Sequence, residues 1–240
     1  MLGGKLFDFS KPVELVQRCL SISTSADDII LDFFSGSATT AHAVMQLNAE
    51  DGGSRRFILV QLPEVCDENS EAFKAGYKNI CEIGKERIRR AGKKIAAGDV
   101  GFRVFKLDTS NLKTWDATPI DPKVGDVIGE LADRMNAMIH RVKPDRSDLD
   151  MVFEVMLKLG VPLDFPVSPV SINGKTAYSV GKDCLLLVCL APDIQPEDVA
   201  LMAEYAPAKA VISRDSFADD TAMSNAFYIL RDRGVELKLV

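Results

Sequence analysis

Asp32, Ser35, Gly36, Ser37, Thr39 and Thr40 stand within nine residues of one another, in the run Asp32-Phe33-Phe34-Ser35-Gly36-Ser37-Ala38-Thr39-Thr40. Gly36, flanked by Ser35, Ser37 and Ala38, lets a ligand approach the backbone closely because no large side chain stands in the way. Asp32 adds a carboxylate just ahead of it. A phosphate-cradling G-x-x-x-x-G-K-[ST] loop is excluded because no Gly-Lys pair follows Gly36, and G-x-G-x-x-G fails because one glycine stands where three are needed. With an Asp before the loop and no Lys in it, the chemistry suits a cationic or zwitterionic ligand better than a pyrophosphate. The bland alternative is an ordinary turn with a solvated Asp.

The elements that must position these residues can be read on either side. Ile29 to Leu31 is a short continuous apolar run, as a strand buried on both faces requires, and it stops at Asp32. After the turn, Thr39 or Thr40 can cap a helix whose apolar residues Ala41, Val44, Met45 and Leu47 recur at helical spacing. Strand, small-residue turn and helix form the place where an open α/β sheet binds ligands. Upstream, Ser10 can cap a helix with Pro12 in its first turn and Val13, Val16, Cys19 and Leu20 as its apolar face, which puts Lys11 at a helix start. Downstream, residues 50–56 read as a polar link and Phe57 to Leu62 as a second strand. In nucleoside-binding sheets an acidic residue at the end of that strand accepts from ribose hydroxyls. Gln61 and Glu64 are the two candidates here.

From Phe73 to about Ile95 the pattern is helical, with Phe73, Tyr77, Ile80, Ile83, Ile88, Ala91 and Ile95 inward. Lys85, Arg87, Arg89, Arg90, Lys93 and Lys94 form a basic face, read as solvated because Glu82 and Glu86 are interleaved and no aromatic platform accompanies it. Gly101 to Leu107 alternates like a strand. Thr109 to Pro122 is a loop holding Trp115, the one tryptophan, as a packing anchor. Helices over Val124 to Val142 and Asp148 to Leu159 follow, the first with a stripe of Val127, Leu131, Met135 and Met138 that suits a core or a subunit interface. The last third reads as a small α/β unit. Val167–Ile172, the Asn173-Gly174 turn and Ala177–Val180 make a hairpin. Strands at 185–189, 210–212 and 235–240 then alternate with helices at 197–205 and 222–231, which implies parallel neighbours. Asp215, Glu236 and Lys238 imitate a nuclease D…E-x-K set, an arrangement that an alternating strand generates readily by chance.

The chain has 240 residues, 47% hydrophobic and 27% charged, with a formal net charge of -6. That is ample for one large or two small domains, and it argues against this chain wrapping nucleic acid by itself. Five cysteines without a C-x-x-C pair indicate neither a disulfide framework nor a zinc site and fit a reducing cytoplasm. Two separated histidines give no metal site. No apolar run approaches the roughly 20 residues of a membrane span.

The run from Asp32 to Thr40 resembles the S-adenosylmethionine loop of the amino-methylating (β-class) DNA methyltransferases, whose pattern is D-x-F-x-G-S-G-T-T. Ala38 stands where that family has its second glycine. Within the family the likeness is to the modification subunit of type III restriction systems. It extends through Phe9-Ser10-Lys11-Pro12, Phe57-Ile58-Leu59-Val60-Gln61-Leu62-Pro63-Glu64, Lys85-Glu86-Arg87-Ile88-Arg89-Arg90-Ala91 and Gly101-Phe102-Arg103-Val104-Phe105-Lys106-Leu107-Asp108.

The resemblance implies a Rossmann-like α/β sheet, part of a methyltransferase domain over residues 1–108. A helical connector over 109–160 and a small α/β carboxyl-terminal domain over 161–240 would follow. It implies S-adenosylmethionine held by Phe9, Ser10, Lys11, Pro12, Asp32, Phe33, Phe34, Ser35, Gly36, Ser37, Thr39 and Thr40. Lys11-Pro12 would sit beside the carboxylate end, and Gln61 or Glu64 would meet the ribose. In that family the target base is flipped out and gripped by a D/N/S-P-P-Y/F segment. No Pro-Pro pair occurs in this chain, so no catalytic residue is assigned. The expectation is the carboxyl-terminal part of a longer adenine-N6 modification subunit, inactive alone, reaching DNA through other regions and forming a homodimer with a restriction subunit as partner. A non-catalytic dimerisation or docking module is the alternative from another class, and a nucleoside-binding enzyme of unrelated chemistry is a third.

Overall fold

The computed structural model describes residues 7, 10–95, 98–121 and 126–240; Phe9, Pro122 and Val124 lie outside these. The architecture is mixed α/β, in two units of residues 1–104 and 105–240.

In the first unit β1 (Ile29–Asp32) and β2 (Arg56–Leu59) pair in parallel, with Leu31 opposite Ile58 and Asp32 opposite Leu59. Their connection is α2 (Thr39–Asp51), which packs between α1 (Val13–Ser23) and α4 (Ile80–Ile95). Ala41 and Ala43 of α2 are fully buried because neighbours approach it on more than one side, and small residues permit that. Ile30, Phe57 and Leu59 point from the sheet into these helices. Their alternates Ile29, Leu31, Ile58 and Val60 are 51–59% exposed. A strand buried on both faces is therefore not what forms; among the described residues helices cover one face of the sheet.

Several local expectations are corrected. α1 begins at Val13 without a side-chain cap, Ser10 lies outside it, and Cys19 is exposed. β2 ends at Leu59, so Gln61 follows the strand. The helix expected from Phe73 is two: α3 (Glu71–Lys74), capped by Ser70, and then α4. The chain breaks between them because Gly76 takes φ +93° and its amide, with that of Tyr77, turns back to Phe73 and Ala72. Gly101 to Leu107 forms no strand, and Leu107 is wholly exposed.

In the second unit α5 (Val127–Ala137) buries no residue, so its Met-bearing stripe is not core, and Trp115 is 47% exposed rather than an anchor. α6 (Asp148–Lys158) starts in a capping box of Ser147 and Asp150 and buries Met151, Val152, Val155 and Met156. The sheet order is β3-β4-β5-β6-β7, with β3 (Val167–Ile172), β4 (Lys175–Val180) and β5 (Leu186–Cys189) antiparallel and β6 (Lys209–Ile212) and β7 (Glu236–Leu239) parallel to β5. The helices α7 (Pro196–Glu204) and α8 (Asp220–Asp232) make the two crossovers. Asn173 and Gly174 both have positive φ, as a two-residue hairpin turn requires. Asp198, 2% exposed on α7, accepts from Asn173 Nδ2 (2.8 Å), Lys175 Nζ (2.7 Å) and the Gln195 amide (2.9 Å), which pins the hairpin tip to the helix. Asp215 pairs with His140, and Glu236 with Lys209 and Lys238.

Glu154 of α6 pins the preceding loop. It accepts from the Ser110 hydroxyl and the Asn111 amide and pairs with Lys158. Burial raises its pKa, but these partners outweigh burial and bring it to about 2. A carboxyl depressed in the folded state adds stability above its unfolded pKa and loses it as pH falls through the folded value. Between pH ~4.5 and ~2 the chain is therefore expected to lose about 2–3 kcal/mol from this group. Glu154→Gln should flatten that part of a urea-stability profile; an unchanged profile would refute the assignment.

Candidate functional site

Asp32 ends β1 and turns its carboxylate onto the loop. Oδ2 accepts from Thr40 Oγ1 at 2.6 Å and Oδ1 from the Phe34 amide at 3.2 Å. Each oxygen keeps further acceptor capacity for a ligand cation. The Thr40 hydroxyl, committed to Asp32, does not cap α2, nor does Thr39. The cap position is Ala38, in the left-handed region at φ +59°, without a side-chain bond. Ala38 meets the φ at which the family's glycine is at home. The left-handed backbone costs an alanine roughly 1–2 kcal/mol, and burying its methyl returns about 0.8 kcal/mol, which offsets only part of the cost.

The loop is held at both ends. The Ser35 amide donates to Val60 O (3.2 Å) and the Gly36 amide to Gln61 Oε1 (2.7 Å). Gln61 thus shapes the loop with the very oxygen that would accept from a ribose hydroxyl, and its Nε2 turns to Leu62 O. Gly36 has φ +51°, and a β-carbon there would stand 3.3 Å from Phe7 Cζ. The Phe7 ring is what lies against the glycine's open side. Gly84 of α4 faces the same turn: a β-carbon on it would come within 3.4 Å of Gly36 O, so its absence lets α4 close on the loop.

Behind the loop Ser10, Ser37 and Thr39 bring their hydroxyls to within 3.1–3.4 Å of one another. Arg87 Nη1 donates into this group, to Ser10 Oγ at 2.5 Å and Ser37 Oγ at 2.9 Å. Arg87 is 7% exposed, not part of a solvated face. The signal was in the spacing: Ile83, Arg87 and Ala91 are successive i, i+4 positions on the packed side of α4. Burial lowers its pKa. His42, on α2, is lowered first by burial and then by the Arg87 charge, and its Nδ1 has no partner.

The structure therefore brings Ser10, Asp32, Ser35, Gly36, Ser37, Thr39, Thr40 and Gln61 together. Lys11, Pro12 and Glu64 are exposed, and neither the Lys11 nor the Glu64 side chain has a bonding partner among the described residues. Phe33 and Phe34 are 61% and 76% exposed, ring centroids 5.2 Å apart. Among the described residues no three His, Cys, Asp or Glu side chains gather as metal ligands, and no helix is long and apolar enough to cross a membrane.

Residues 2–93 match the family model of DNA methylases. Over 122 residues the chain is 43% identical to the Mod subunit of the type III restriction-modification enzyme StyLTI of Salmonella typhimurium, covering 48% of this chain and 19% of that protein. It is 44% identical over 110 residues to the EcoPI Mod subunit of Escherichia phage P1, covering 44% and 17%. With the type II methyltransferase M.KpnI of Klebsiella pneumoniae it shares 38% identity over 88 residues, covering 37% and 21%. The chain thus spans about a fifth of the length of these relatives. The loop just described lies inside the segment that matches the DNA methylase model and is similar to type III Mod subunits.

Proposed function

We propose that this chain is the cofactor-binding half of a site-specific adenine-N6 DNA methyltransferase of a restriction-modification system. The observation that carries the proposal is the loop itself. A glycine at positive φ shares one loop with residues bonded to a carboxylate and to a buried guanidinium with its hydroxyls. That arrangement fits S-adenosylmethionine, which is cationic at sulfur and zwitterionic at its amino-acid end. When bound, this cofactor supplies the electrophilic methyl group. Asp32 would hold the ammonium, the ligand would reach the Gly36 backbone in place of the Phe7 ring, and the exposed Glu64 would meet the ribose hydroxyls, since Gln61 is committed to the loop. Residues 1–108 form the cofactor part of a Rossmann-like sheet in this reading, 109–160 a connector and 161–240 a separate domain.

Nucleophile positioning and base recognition need groups that this chain lacks, as no Pro-Pro-aromatic segment is present. Alone it is inactive. DNA, a second copy and a restriction subunit are the partners of the complete enzyme.

Calorimetric titration with S-adenosylmethionine, S-adenosylhomocysteine and NAD tests the proposal. Binding of the first two and not NAD is expected; binding of NAD alone would refute it. A docking module is the second reading, favoured by the exposed Ile128, Leu131 and Met135 on α5. Silence toward all three ligands would favour it.

A further inference from the structure

The two buried arginines of the first unit are built differently. Arg55, 8% exposed, meets Asp51 at 2.8 Å and Thr24 Oγ1 at 3.0 Å, so its charge is matched. Arg87, equally buried, has no carboxylate within ion-pairing distance among the described residues, and its Nε has no partner at all. Ser10 and Ser37 accept its protons, Thr39 joins them through its hydroxyl, and none of the three carries negative charge. A guanidinium taken out of water without a counter-charge is a cost that folding alone does not recover. The deficit lies beside the proposed ligand loop, at the Ser37 hydroxyl. Lys11, the cation that the sequence resemblance placed at the carboxylate end, is exposed and has no bonding partner among the described residues.

Resting on the cofactor-binding reading above, we infer that Arg87 is the anion subsite of this loop: with Ser10, Ser37 and Thr39 it takes the carboxylate of the ligand's amino-acid end, while Asp32 takes the ammonium. The ligand supplies the counter-charge that is missing among the described residues. Selectivity for an α-amino-acid end then comes from two opposite charges bonded to the same loop, neither able to make both contacts. The hydroxyls transmit the effect. A hydroxyl that accepts from a guanidinium has its own proton directed away and becomes a stronger donor to an anion.

The test compares two ligands that share the adenosine and differ at this end: S-adenosylhomocysteine, with the carboxylate, and 5′-methylthioadenosine, without it. Calorimetry of the whole chain with Arg87→Met is expected to show a loss of about 10- to 30-fold for the first and less than twofold for the second. Arg87→Lys should recover part of the difference. Equal losses for both ligands would overturn the inference, since they would mean that Arg87 only shapes the loop; unchanged affinity for both would overturn it as well. A wild-type chain that binds neither ligand would overturn the cofactor-binding reading itself. Melting of the ligand-free variants gives a second readout. The melting temperature of Arg87→Met should stay within a few degrees of wild type, because an unmatched buried charge is being removed. A large drop would show that Arg87 serves the fold rather than the ligand.

Discussion

Replacing Gly36 by valine is expected to abolish detectable binding of S-adenosylmethionine and S-adenosylhomocysteine, and to destabilise the first unit by about 3 kcal/mol. Three effects converge on this one position. Its φ of +51° lies where a β-branched residue is a genuine outlier. Its β-carbon would meet the Phe7 ring at 3.3 Å before any further atoms of the side chain are added. Relieving either strain rotates the Gly36 amide away from Gln61 Oε1, which removes the bond that fixes the loop to the end of β2. Thermal melting and calorimetric titration of the same preparation check both parts. A variant that still binds within tenfold of wild type would mean that the loop backbone is not where the ligand lies. Unimpaired binding at reduced stability would do the same.

Asp198→Ala should cost about 3 kcal/mol in the second unit without changing ligand affinity in the first. Burial tends to raise the pKa of this carboxyl, but Lys175, the Gln195 amide and Asn173 outweigh it, so the folded value lies below the ordinary one. The sign of the pH effect follows. A carboxyl with a depressed folded pKa stabilises above its unfolded pKa, near 3.9, and that stability is lost as pH falls through the lower folded value. The gap between wild type and Asp198→Ala is therefore full at pH 6 and closes below about pH 4. Urea denaturation at a series of pH values measures it. A gap that is constant with pH would assign the cost to the lost helix cap and packing rather than to the carboxylate charge.

Much of the second unit was legible because its signals are local. Asn173-Gly174 demands positive φ at two successive residues, and the apolar run Leu186–Cys189 is buried throughout, as a central strand flanked by partners should be. The loop at Gly36 was legible for the same reason, since one glycine between a strand and a helix has few other uses. What spacing did not reveal depends on contacts distant in sequence. Ser10 reads as a helix cap, but its hydroxyl is drawn to Ser37 and Arg87, 27 and 77 residues away. Thr39 and Thr40 read as caps for the same helix-start reason, and both are diverted to tertiary partners. Arg87 was hidden by its charge: five basic neighbours made a solvated face the natural reading, although its position beside Ile83 and Ala91 pointed inward. Ile29 and Leu31 show the converse, since an apolar run says that a strand wants cover on two sides and not that cover is present.

That uncovered side of the β1–β2 sheet has a calorimetric consequence. The heat-capacity increment of unfolding scales with the apolar area newly exposed to water. Ile29, Leu31, Phe33, Ile58, Val60 and Leu62 are each at least half exposed before unfolding begins. Residues 1–104 should therefore unfold with a smaller increment than their number alone suggests, and with a flatter dependence of stability on temperature.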